Sequence, residues 1–330
     1  MKEFTALIVK DQPEVHSQFV SQTFSALPEG DVLVKINYSD VNYKDALATV
    51  AKSGVLRSYP LTPGIDLAGE VVESSHPQYA PGEKVLLTGY GLGVSHPGGF
   101  SEFQRVPGEW LVPLPEGLSE KEAMILGTAG FTAGLAVQAL EQHGVEKTAR
   151  IFVTGASGGV GSCSIAMLKQ LGYQEIVAIS RKPDAHSWLK ELGASRVVAP
   201  EELLPDKKRP LGKQQIDALI DTVGGDLLAG LLPQLAYGGT AALCGNAGGI
   251  QLETTVLPFI LRGIQLIGID SVNVPMEPRK KMWARLATDL NVASRLNFHE
   301  ISLEQVLDTI QSLLDGTHQG RTIIDMQVKK

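Results

Sequence analysis

A glycine-rich run between Thr154 and Ser162, "TGASGGVGS", is the stretch whose residue types and spacing first indicate chemistry. It follows the apolar run "RIFV", which is typical of a buried strand, and a helical pattern begins near residue 158. A strand that turns into a helix through glycines exposes the unpaired N–H groups of the helix N-terminus. These groups and the helix dipole attract an anion. The run therefore predicts a loop that binds a pyrophosphate.

The spacing of these glycines is G-x-x-G-x-x-G, whereas dinucleotide-binding loops more often have G-x-G-x-x-G. The context favours a dinucleotide, because the run follows a predicted strand and opens the helix of a βαβ unit. A tight strand–helix turn without a ligand is the alternative. We expect the ligand to contact the residues at the start of the helix, Ser157, Gly158, Gly159 and Val160.

The end of the next predicted strand indicates which dinucleotide is bound. NAD-binding folds carry an acidic residue about 20 positions after the glycine motif, where it binds the ribose 2′-OH. This chain has Ser180, Arg181 and Lys182 there, and no carboxylate at the strand end. A guanidinium and an ammonium pair well with a 2′-phosphate, so the residues predict NADPH rather than NADH. A solvated basic loop is the alternative.

The elements that position these residues fall into two patterns. About the first 120 residues are rich in strand signals separated by Gly and Pro turns, which predicts a small, mostly antiparallel β-domain. From Ser119 onward, six short apolar strands alternate with helices, which predicts an α/β fold with a doubly wound parallel sheet of the Rossmann type. Ser119 and Glu122 form a capping-box signature at the start of the first of these helices.

The alternation stops after Ser271. A charged helix, "EPRKKMWARLATDL", follows, then a further helix from Ser302 and the strand-like "GRTIIDMQVKK". We expect this tail to return to the first domain, which would make that domain discontinuous in sequence.

Composition limits the classes of function. The 330 residues carry a net charge of -7 without a basic stripe, so nucleic acid is not an expected partner. The N-terminal apolar run is too short for a signal peptide or a membrane span, so we expect a cytoplasmic protein without a membrane partner. The two cysteines, Cys163 and Cys244, form neither a disulfide framework nor a thiolate zinc cluster.

Several longer motifs carry a family resemblance. The segments "GASGGVG", "PGIDLAGEV" and "GTAGFTAGL" together resemble the medium-chain dehydrogenase/reductase superfamily. The segments "DVNYKDALA", "IDTVGG" and "PFILRGIQLIGIDSV" resemble its acryloyl-CoA reductase and putative quinone oxidoreductase subfamily. The resemblance implies a GroES-like domain, residues 1–121 and 296–330, and a Rossmann NADPH-binding domain, residues 122–295. It also implies an active site in the cleft between them, and a homodimer paired through the last Rossmann strand.

The chain departs from the zinc-dependent members of that superfamily. Where those enzymes have Cys, His and Cys as ligands, the matching residues here are Asn42, Ile65 and Thr128, which are not a zinc ligand set. We therefore expect no metal, and no Lewis acid to polarise a carbonyl group. The remaining chemistry is hydride transfer to an acceptor that is already activated by conjugation, such as an enoyl thioester, an enone or a quinone.

Further cofactor contacts are expected at the carboxyl ends of the later strands and in the tail. Gly245 and Asn246 should border the nicotinamide ribose, and Asp270 and Ser271 should lie near the nicotinamide. Thr128 and Thr132 are expected to face the cofactor, with packing against other side chains as the alternative. Arg321 resembles a tail residue that reaches the cofactor phosphates, with a surface salt bridge as the alternative.

The polar segment "NYKD" supplies the candidate catalytic residues. Reduction of an enoyl thioester produces an enolate, which needs a hydrogen-bond donor and a proton. Tyr43 is the candidate donor, with pocket packing and protonation by water as the alternative. Asn42 is a candidate ligand of the substrate carbonyl or the cofactor, and Asp45 a residue that holds the geometry.

The sequence thus predicts a zinc-independent NADPH-dependent oxidoreductase that acts on a small molecule. Reduction of acryloyl-CoA to propanoyl-CoA is the leading activity. Quinone reduction is the alternative reaction, and an NADPH-binding protein without catalytic activity is the alternative of another class.

Overall fold

The structure is a computed structural model that describes residues 3–204, 207 and 209–328. The chain divides into two compact units. The first unit consists of three segments, which are the chain up to Thr128, Val272–Ala287 and the chain from Asn297 onward. The second consists of Ala129–Ser271 and Thr288–Leu296. Residues 122–128 and 272–287 therefore group with the first unit, whereas the sequence-based boundaries assigned them to the Rossmann domain. Residues 1, 2, 329 and 330 of the expected first domain lie outside the described residues.

The first unit is a β-structure with short helices. Its strands are β1 (Glu3–Lys10), β2 (His16–Thr23), β3 (Val32–Asp40), β4 (Asp66–Ser74), β5 (Lys84–Thr88), β6 (Phe103–Val106), β7 (Val112–Pro113), β14 (Phe298–Ile301) and β15 (Arg321–Asp325). Its helices are α1 (Tyr43–Ala48), α7 (Met276–Leu286) and α8 (Val306–Leu314). A hairpin of β1 and β2 lies beside a seven-stranded sheet ordered β14-β15-β3-β4-β5-β7, in which β6 also pairs with β3. The tail therefore does join the first unit, through β14 and β15.

The register of this sheet brings three strand ends together. Tyr38 of β3 pairs with Ala68 of β4 in an antiparallel arrangement, so the last residue of β3, Asp40, lies opposite the first residue of β4, Asp66. Asp40 also pairs with Ile323 of β15, two residues after Arg321. Two acidic residues and one basic residue thus meet at one end of a sheet whose interior is apolar.

The second unit is the predicted doubly wound fold. Its strands are β8 (Arg150–Val153), β9 (Glu175–Ile179), β10 (Arg196–Val198), β11 (Ile216–Asp221), β12 (Leu235–Leu243) and β13 (Gln265–Gly268). Its helices are α3 (Gly159–Gln170), α4 (His186–Leu192), α5 (Gly225–Leu231) and α6 (Leu257–Arg262). The strands form one parallel sheet ordered β10-β9-β8-β11-β12-β13, which is the Rossmann order, and the predicted fold class is confirmed.

Helix α2 (Glu120–Gln142) begins where the sequence predicts. The Ser119 hydroxyl accepts from the Glu122 N–H at 3.2 Å, and the Glu122 carboxylate accepts from the Ser119 N–H at 2.9 Å. Among the described residues, α2 is the one helix long and apolar enough to cross a membrane, and 83% of its most apolar window is buried, as in a core helix.

The regular path of α2 is broken at Gly127, whose φ of +51° lies in the left-handed region. A Cβ atom there would lie 1.8 Å from the Asp40 carboxylate, so only glycine fits. The residues before the break form a short helical segment whose last carbonyl groups are available to other donors.

Candidate active site

The carboxyl edge of the parallel sheet in the second unit collects the predicted cofactor residues. The glycine loop follows β8, Ser180 to Lys182 follow β9, Gly245 and Asn246 follow β12, and Asp270 and Ser271 follow β13. Since parallel strands all end at the same edge of a sheet, these segments share one edge. This is where doubly wound sheets bind their ligands.

The glycine loop has the geometry of an anion site. Gly158 precedes α3, and within the described residues no side chain caps this helix. The residues Gly158, Gly159 and Val160 are partly exposed, so the N–H groups at the helix start are accessible to an anion. A Cβ at Gly161 would lie 2.4 Å from the carbonyl oxygen of Gly155, which requires glycine for the close packing of helix and loop.

Two serine hydroxyls connect this loop with the end of β9. The hydroxyl of Ser180 lies 3.4 Å from that of Ser157 and accepts from the N–H of Lys182 at 3.2 Å. Arg181 is exposed. The pKa of Lys182 is lowered, first by the burial of Lys182 and then by the nearby charge of Arg181. Hydroxyl and cationic groups thus lie close to the anion site, which fits a phosphate on the ribose.

Asp221, at the end of β11, is a site residue that the sequence analysis did not single out. It is fully buried, accepts from the hydroxyl of Thr154 at 2.7 Å and accepts from the N–H of Gly224 at 2.7 Å. Burial raises its pKa, and the hydrogen bond from Thr154 opposes this. Asp221 therefore fixes the loops after β8 and β11 to each other. The position of Asp221 in the motif "IDTVGG" is the feature of the sequence that could have indicated it as a site residue.

The remaining predicted cofactor residues of this unit are Gly245, Asn246, Asp270, Ser271 and Thr132. A Cβ at Gly245 would lie 1.9 Å from the carbonyl oxygen of Thr222, so this turn packs directly on the loop after β11. Asn246 and Asp270 are exposed. The hydroxyl of Thr132 on α2 is buried and donates to the hydroxyl of Ser271 at 2.8 Å, so the structure brings these two residues together.

A second polar site lies within the first unit, where the strand ends described above meet. We call it the carboxylate cluster; its members are Asp40, Asn42, Asp45, Asp66, Thr128 and Arg321. The three aspartates are fully buried, and Arg321 is 2% exposed. Of these residues, Asn42, Asp45, Thr128 and Arg321 were indicated by the sequence, but Arg321 was not placed with the other three, and Asp40 and Asp66 were missed.

The position of Arg321 differs from the prediction that it reaches the cofactor phosphates. Its Nη2 donates to Asp40 at 2.5 Å, its Nη1 to the Asn42 side-chain oxygen at 3.2 Å, and its Nε to the Ile125 carbonyl at 2.9 Å. It is not a surface salt bridge either, because both side chains of the Arg321–Asp40 pair are buried. Every guanidinium nitrogen is engaged inside the unit, because the register of β15 directs the side chain into the cluster.

Asn42 and Thr128 are also held by the carboxylates. The Asn42 amide nitrogen donates to Asp40 at 2.6 Å and to Asp66 at 2.9 Å, so this donor is not presented to a substrate carbonyl. The Thr128 backbone N–H donates to Asp66 at 2.7 Å and its hydroxyl donates to Asp66 at 2.5 Å. Thr128 is partly exposed, and the other members of the cluster are buried.

Asp45 accepts from two backbone N–H groups, and its expected role, to hold the geometry of the segment, stays a prediction. Its carboxylate accepts from the N–H of Asn42 at 2.8 Å, which caps α1, and from the N–H of Ile65 at 2.9 Å. Burial raises its pKa to about 7 although these two hydrogen bonds lower it; the charge of Asp66 adds to the increase. Tyr43, the candidate donor, begins α1 and is 40% exposed.

The raised pKa of Asp45 predicts a pH-dependent stability. An aspartate has a pKa of about 3.9 in the unfolded chain, so between about pH 4 and pH 7 the folded state binds more protons. Stability therefore falls as the pH rises through this window. Asp45→Asn cannot ionise at this position. The free energy of unfolding of Asp45→Asn minus that of wild type should therefore rise by about 2–3 kcal/mol as the pH goes from about 5 to about 8.

Urea unfolding of both proteins across this pH range measures the difference. Asp45→Asn also loses one acceptor, so it starts with a pH-independent penalty of about 1–3 kcal/mol. A difference between the two proteins that does not change with pH would contradict the assignment of the titration to Asp45.

Two family models match the chain. Residues 28–116 match the alcohol dehydrogenase GroES-like domain, and residues 159–288 match the zinc-binding dehydrogenase domain. The first match falls in the first unit, and most of the second match falls in the second unit.

Individual relatives match nearly the full length. The chain is 49% identical to the probable acrylyl-CoA reductase AcuI of Escherichia coli over 91% of this chain and 92% of that protein. It is 46% identical to the putative quinone oxidoreductase YhfP of Bacillus subtilis over 96% of each chain.

Solved structures agree with the fold. The crystal structure of Escherichia coli YhdH with bound NADPH has a TM-score of 0.93 and 46% identity over 97% of this chain and 99% of that one. The structure of Bacillus subtilis YhfP with NAD bound has a TM-score of 0.95 and 44% identity over 99% of this chain and 100% of that one.

The residues that match the positions of the zinc ligands, Asn42, Ile65 and Thr128, do not fit the zinc that the matched domain is named for. Ile65 offers no ligand atom, the Asn42 amide nitrogen donates to two carboxylates, and the Thr128 hydroxyl donates to a third acceptor atom of the cluster. Within the described residues, no group of three or more His, Cys, Asp or Glu side chains is arranged to hold a metal ion.

Proposed function

Because the chain belongs to the medium-chain dehydrogenase/reductase family, we propose that it is an NADPH-dependent cytoplasmic reductase of activated C=C bonds, with acryloyl-CoA as substrate and propanoyl-CoA as product. The observation that carries the proposal is the site at the carboxyl edge of the parallel sheet. There, an accessible helix N-terminus lies next to an exposed arginine. The relative named as a probable acrylyl-CoA reductase supports the substrate, and the NADPH-bound structure of YhdH supports the cofactor.

The residues of the second unit fit NADPH. The start of α3 would hold the pyrophosphate, Ser180, Arg181 and Lys182 would hold the 2′-phosphate, and the turns after β12 and β13 would border the nicotinamide end. NADPH supplies the hydride when bound. The chain's own residues bind NADPH, orient the substrate and stabilise the enolate. For this last role we propose the hydroxyl of Tyr43, a residue that is partly exposed at the start of α1.

The experiment that tests this function is a panel of acceptors with oxidation of NADPH as readout. Acryloyl-CoA, crotonyl-CoA and benzoquinone are compared by kcat/KM with the purified protein. The proposal expects the highest kcat/KM with acryloyl-CoA, and propanoyl-CoA as the product by mass spectrometry. A higher value for benzoquinone would instead support quinone reduction, which the identity to the putative quinone oxidoreductase YhfP favours as second candidate. Tight NADPH binding without turnover of any acceptor would contradict both reactions.

The choice of NADPH over NADH depends on Arg181. Loss of a charge-assisted hydrogen bond costs about 1.5–3 kcal/mol, so Arg181→Ala should raise the Kd for NADPH about 10- to 150-fold. The Kd for NADH should hardly change, because NADH has no 2′-phosphate. Isothermal titration with both cofactors measures this.

Lys190→Ala is the matched control for Arg181→Ala. It removes one exposed positive charge from α4 of the same unit. Equal weakening of NADPH and NADH by Arg181→Ala, or an equal loss with Lys190→Ala, would refute a specific contact with the 2′-phosphate.

We propose a homodimer that pairs through β13. This strand is the outermost in its sheet, and helix α6, the crossover helix just before it, carries exposed apolar side chains. Ile260 is 70% exposed and Leu261 56%. An open strand edge beside an apolar surface is typical of an interface between subunits.

The dimer proposal predicts a change of mass. Ile260→Glu places a charge in the interface and should convert a species of twice 35.3 kDa into one of 35.3 kDa by light scattering. Val72→Glu, at an exposed position of β4, is the control and should remain a dimer. A monomeric wild type would contradict the proposal.

A further inference from the structure

The loop after β11 (residues 222–225) lies between two other loops at the carboxyl edge of the parallel sheet. Strand β11 pairs with β8 on one side and with β12 on the other. The glycine loop after β8 is the proposed site of the pyrophosphate, and the turn after β12 (residues 244–249) is proposed to border the nicotinamide ribose. A residue that ties the loop after β11 to both of its neighbours therefore couples two parts of the proposed cofactor site.

On the side of β8, two threonines exchange hydrogen bonds. The hydroxyl of Thr154 accepts from the N–H of Thr222 at 2.9 Å, and the hydroxyl of Thr222 donates to the carbonyl oxygen of Thr154 at 2.9 Å. The next residue of the glycine loop, Gly155, has a φ of +57°, and a Cβ there would lie 2.2 Å from the Thr222 hydroxyl oxygen. The start of the glycine loop is thus packed directly on the Thr222 side chain.

On the side of β12, backbone groups form the contacts. The N–H of Cys244 donates to the carbonyl oxygen of Asp221 at 2.9 Å. The N–H of Gly248 donates to the carbonyl oxygen of Val223 at 2.7 Å. Since residues 246–249 are exposed, these hydrogen bonds to the loop beneath them hold the turn in its shape.

The Asp221 carboxylate joins the two sides. One of its oxygens accepts from the Thr154 hydroxyl and the other from the Gly224 N–H, each at 2.7 Å. The Thr154 hydroxyl must donate here, because it already accepts from the N–H of Thr222. Two donors require two acceptor oxygens, and an asparagine would turn its amide nitrogen toward one of them. Asp221 and Thr154 are fully buried, so a polar group left without a partner there is costly.

We propose that Asp221 and Thr154 are positioning residues of the cofactor site, which hold the glycine loop and the turn after β12 in the shape that accepts the pyrophosphate and the nicotinamide ribose. This inference rests on the proposed function. The polar side-chain atoms of both residues are occupied by the hydrogen bonds above, so they act on the cofactor through the loops. NADPH and NADH share the pyrophosphate and the nicotinamide ribose, so the two residues should serve both cofactors equally.

Four variants test this role. Thr154→Val keeps the shape of the side chain and leaves the Thr222 N–H and one carboxylate oxygen without partners. Asp221→Asn removes one of the two acceptor oxygens. Thr154→Ser keeps the hydroxyl and should behave like wild type. Thr240→Val is the matched control, because it removes a buried hydroxyl from β12, three residues before the end of that strand.

The first test compares the binding of three ligands by isothermal titration. Thr154→Val and Asp221→Asn should raise the Kd for NADPH and the Kd for NADH by the same factor, about 10- to 150-fold for the loss of one charge-assisted hydrogen bond. Adenosine 2′-phosphate has neither the pyrophosphate nor the nicotinamide, so its Kd should stay within about threefold of wild type. An equal loss of adenosine 2′-phosphate would show general damage to the unit and would overturn the positioning role.

The second test uses the protein without cofactor. Amide hydrogen exchange, followed by mass spectrometry, reports on the peptide that contains Gly248. Its exchange should be about tenfold faster in Thr154→Val and in Asp221→Asn, although residue 154 lies on the other side of β11. Thr154→Ser and Thr240→Val should leave it unchanged. Unchanged exchange in Thr154→Val would show that the two sides are not coupled. If Asp221→Asn does not fold, the three other variants decide both tests.

The outcomes separate this inference from the function on which it rests. If wild type binds NADPH and Thr154→Val binds it within about threefold as tightly, the positioning role is wrong and the proposed function stands. If wild type binds neither NADPH nor NADH, the proposed function and the positioning role fail together. Hydrogen exchange then decides only whether the loops are coupled.

Discussion

Tyr43→Phe should lower the turnover of acryloyl-CoA by about 10²–10³-fold, because the loss of one donor to a developing oxyanion typically has this effect. The substitution keeps the ring and removes only the hydroxyl. The side chain is 40% exposed at the start of α1, so the fold should be unaffected. NADPH affinity should not change, because the residues proposed to bind the cofactor lie in the other unit. Steady-state kinetics with acryloyl-CoA and benzoquinone measures the effect, and quinone reduction should fall less.

Tyr237→Phe is the matched control for this experiment. Tyr237 is 80% exposed in the second unit, and its hydroxyl has no part in the proposed chemistry. If Tyr43→Phe stays within about threefold of wild type with both acceptors, a barrier change below one kcal/mol, Tyr43 does not stabilise the enolate. The donor would then be Asn42, a ribose hydroxyl of the cofactor or water. Of these, Asn42 has its amide nitrogen already bonded to Asp40 and Asp66.

Arg321→Met should destabilise the protein by about 3–5 kcal/mol, because it removes one partner of a buried ion pair and leaves the other charge unpaired. Methionine keeps an unbranched side chain of similar volume, so the cavity is small. The loss should appear as a lower urea midpoint with an unchanged slope. Addition of Asp40→Asn to Arg321→Met should recover part of the loss, since the uncompensated carboxylate is then gone.

Arg150→Met provides the comparison for a surface pair. Arg150 contacts Asp217 at 2.7 Å, but the side chains are 39% and 33% exposed. Exposed ion pairs contribute about 0.2–1 kcal/mol, so this substitution should have a small effect. An equal loss of stability in Arg150→Met and Arg321→Met would show that the cluster does not depend on its cation.

Local sequence patterns were sufficient to predict the second unit. The glycine run, the strand ends and the capping box at Ser119 each depend on residues a few positions apart, and the helix and sheet that they predict are present. The exposed Arg181 next to a buried Ser180 follows from the same short-range pattern of a strand end.

The carboxylate cluster could not be predicted in this way. Arg321 and Asp40 are 281 residues apart, and only the pairing of β15 with β3 brings them together. The family resemblance indicated Asn42, Ile65 and Thr128 as a group, but it gave no information on what replaces the metal. The unused signal was an Asp at one end of each of two strands, Asp40 as the last residue of β3 and Asp66 as the first residue of β4, because a buried carboxylate needs partners.

The break in α2 at Gly127 has a consequence for the order of events during synthesis. The Ile125 carbonyl before the break accepts from Arg321, so the first segment of this helix is capped by a residue made 196 positions later. Until that residue emerges, Asp40 and Asp66 have no cation and β3 has no partner in β15. The Rossmann sheet, whose strands all precede residue 269, can complete its pairing earlier. On the ribosome the unit that begins first is therefore finished last, and the end of β3 that pairs with β15, residues 38–40, is the part that a chaperone would have to protect.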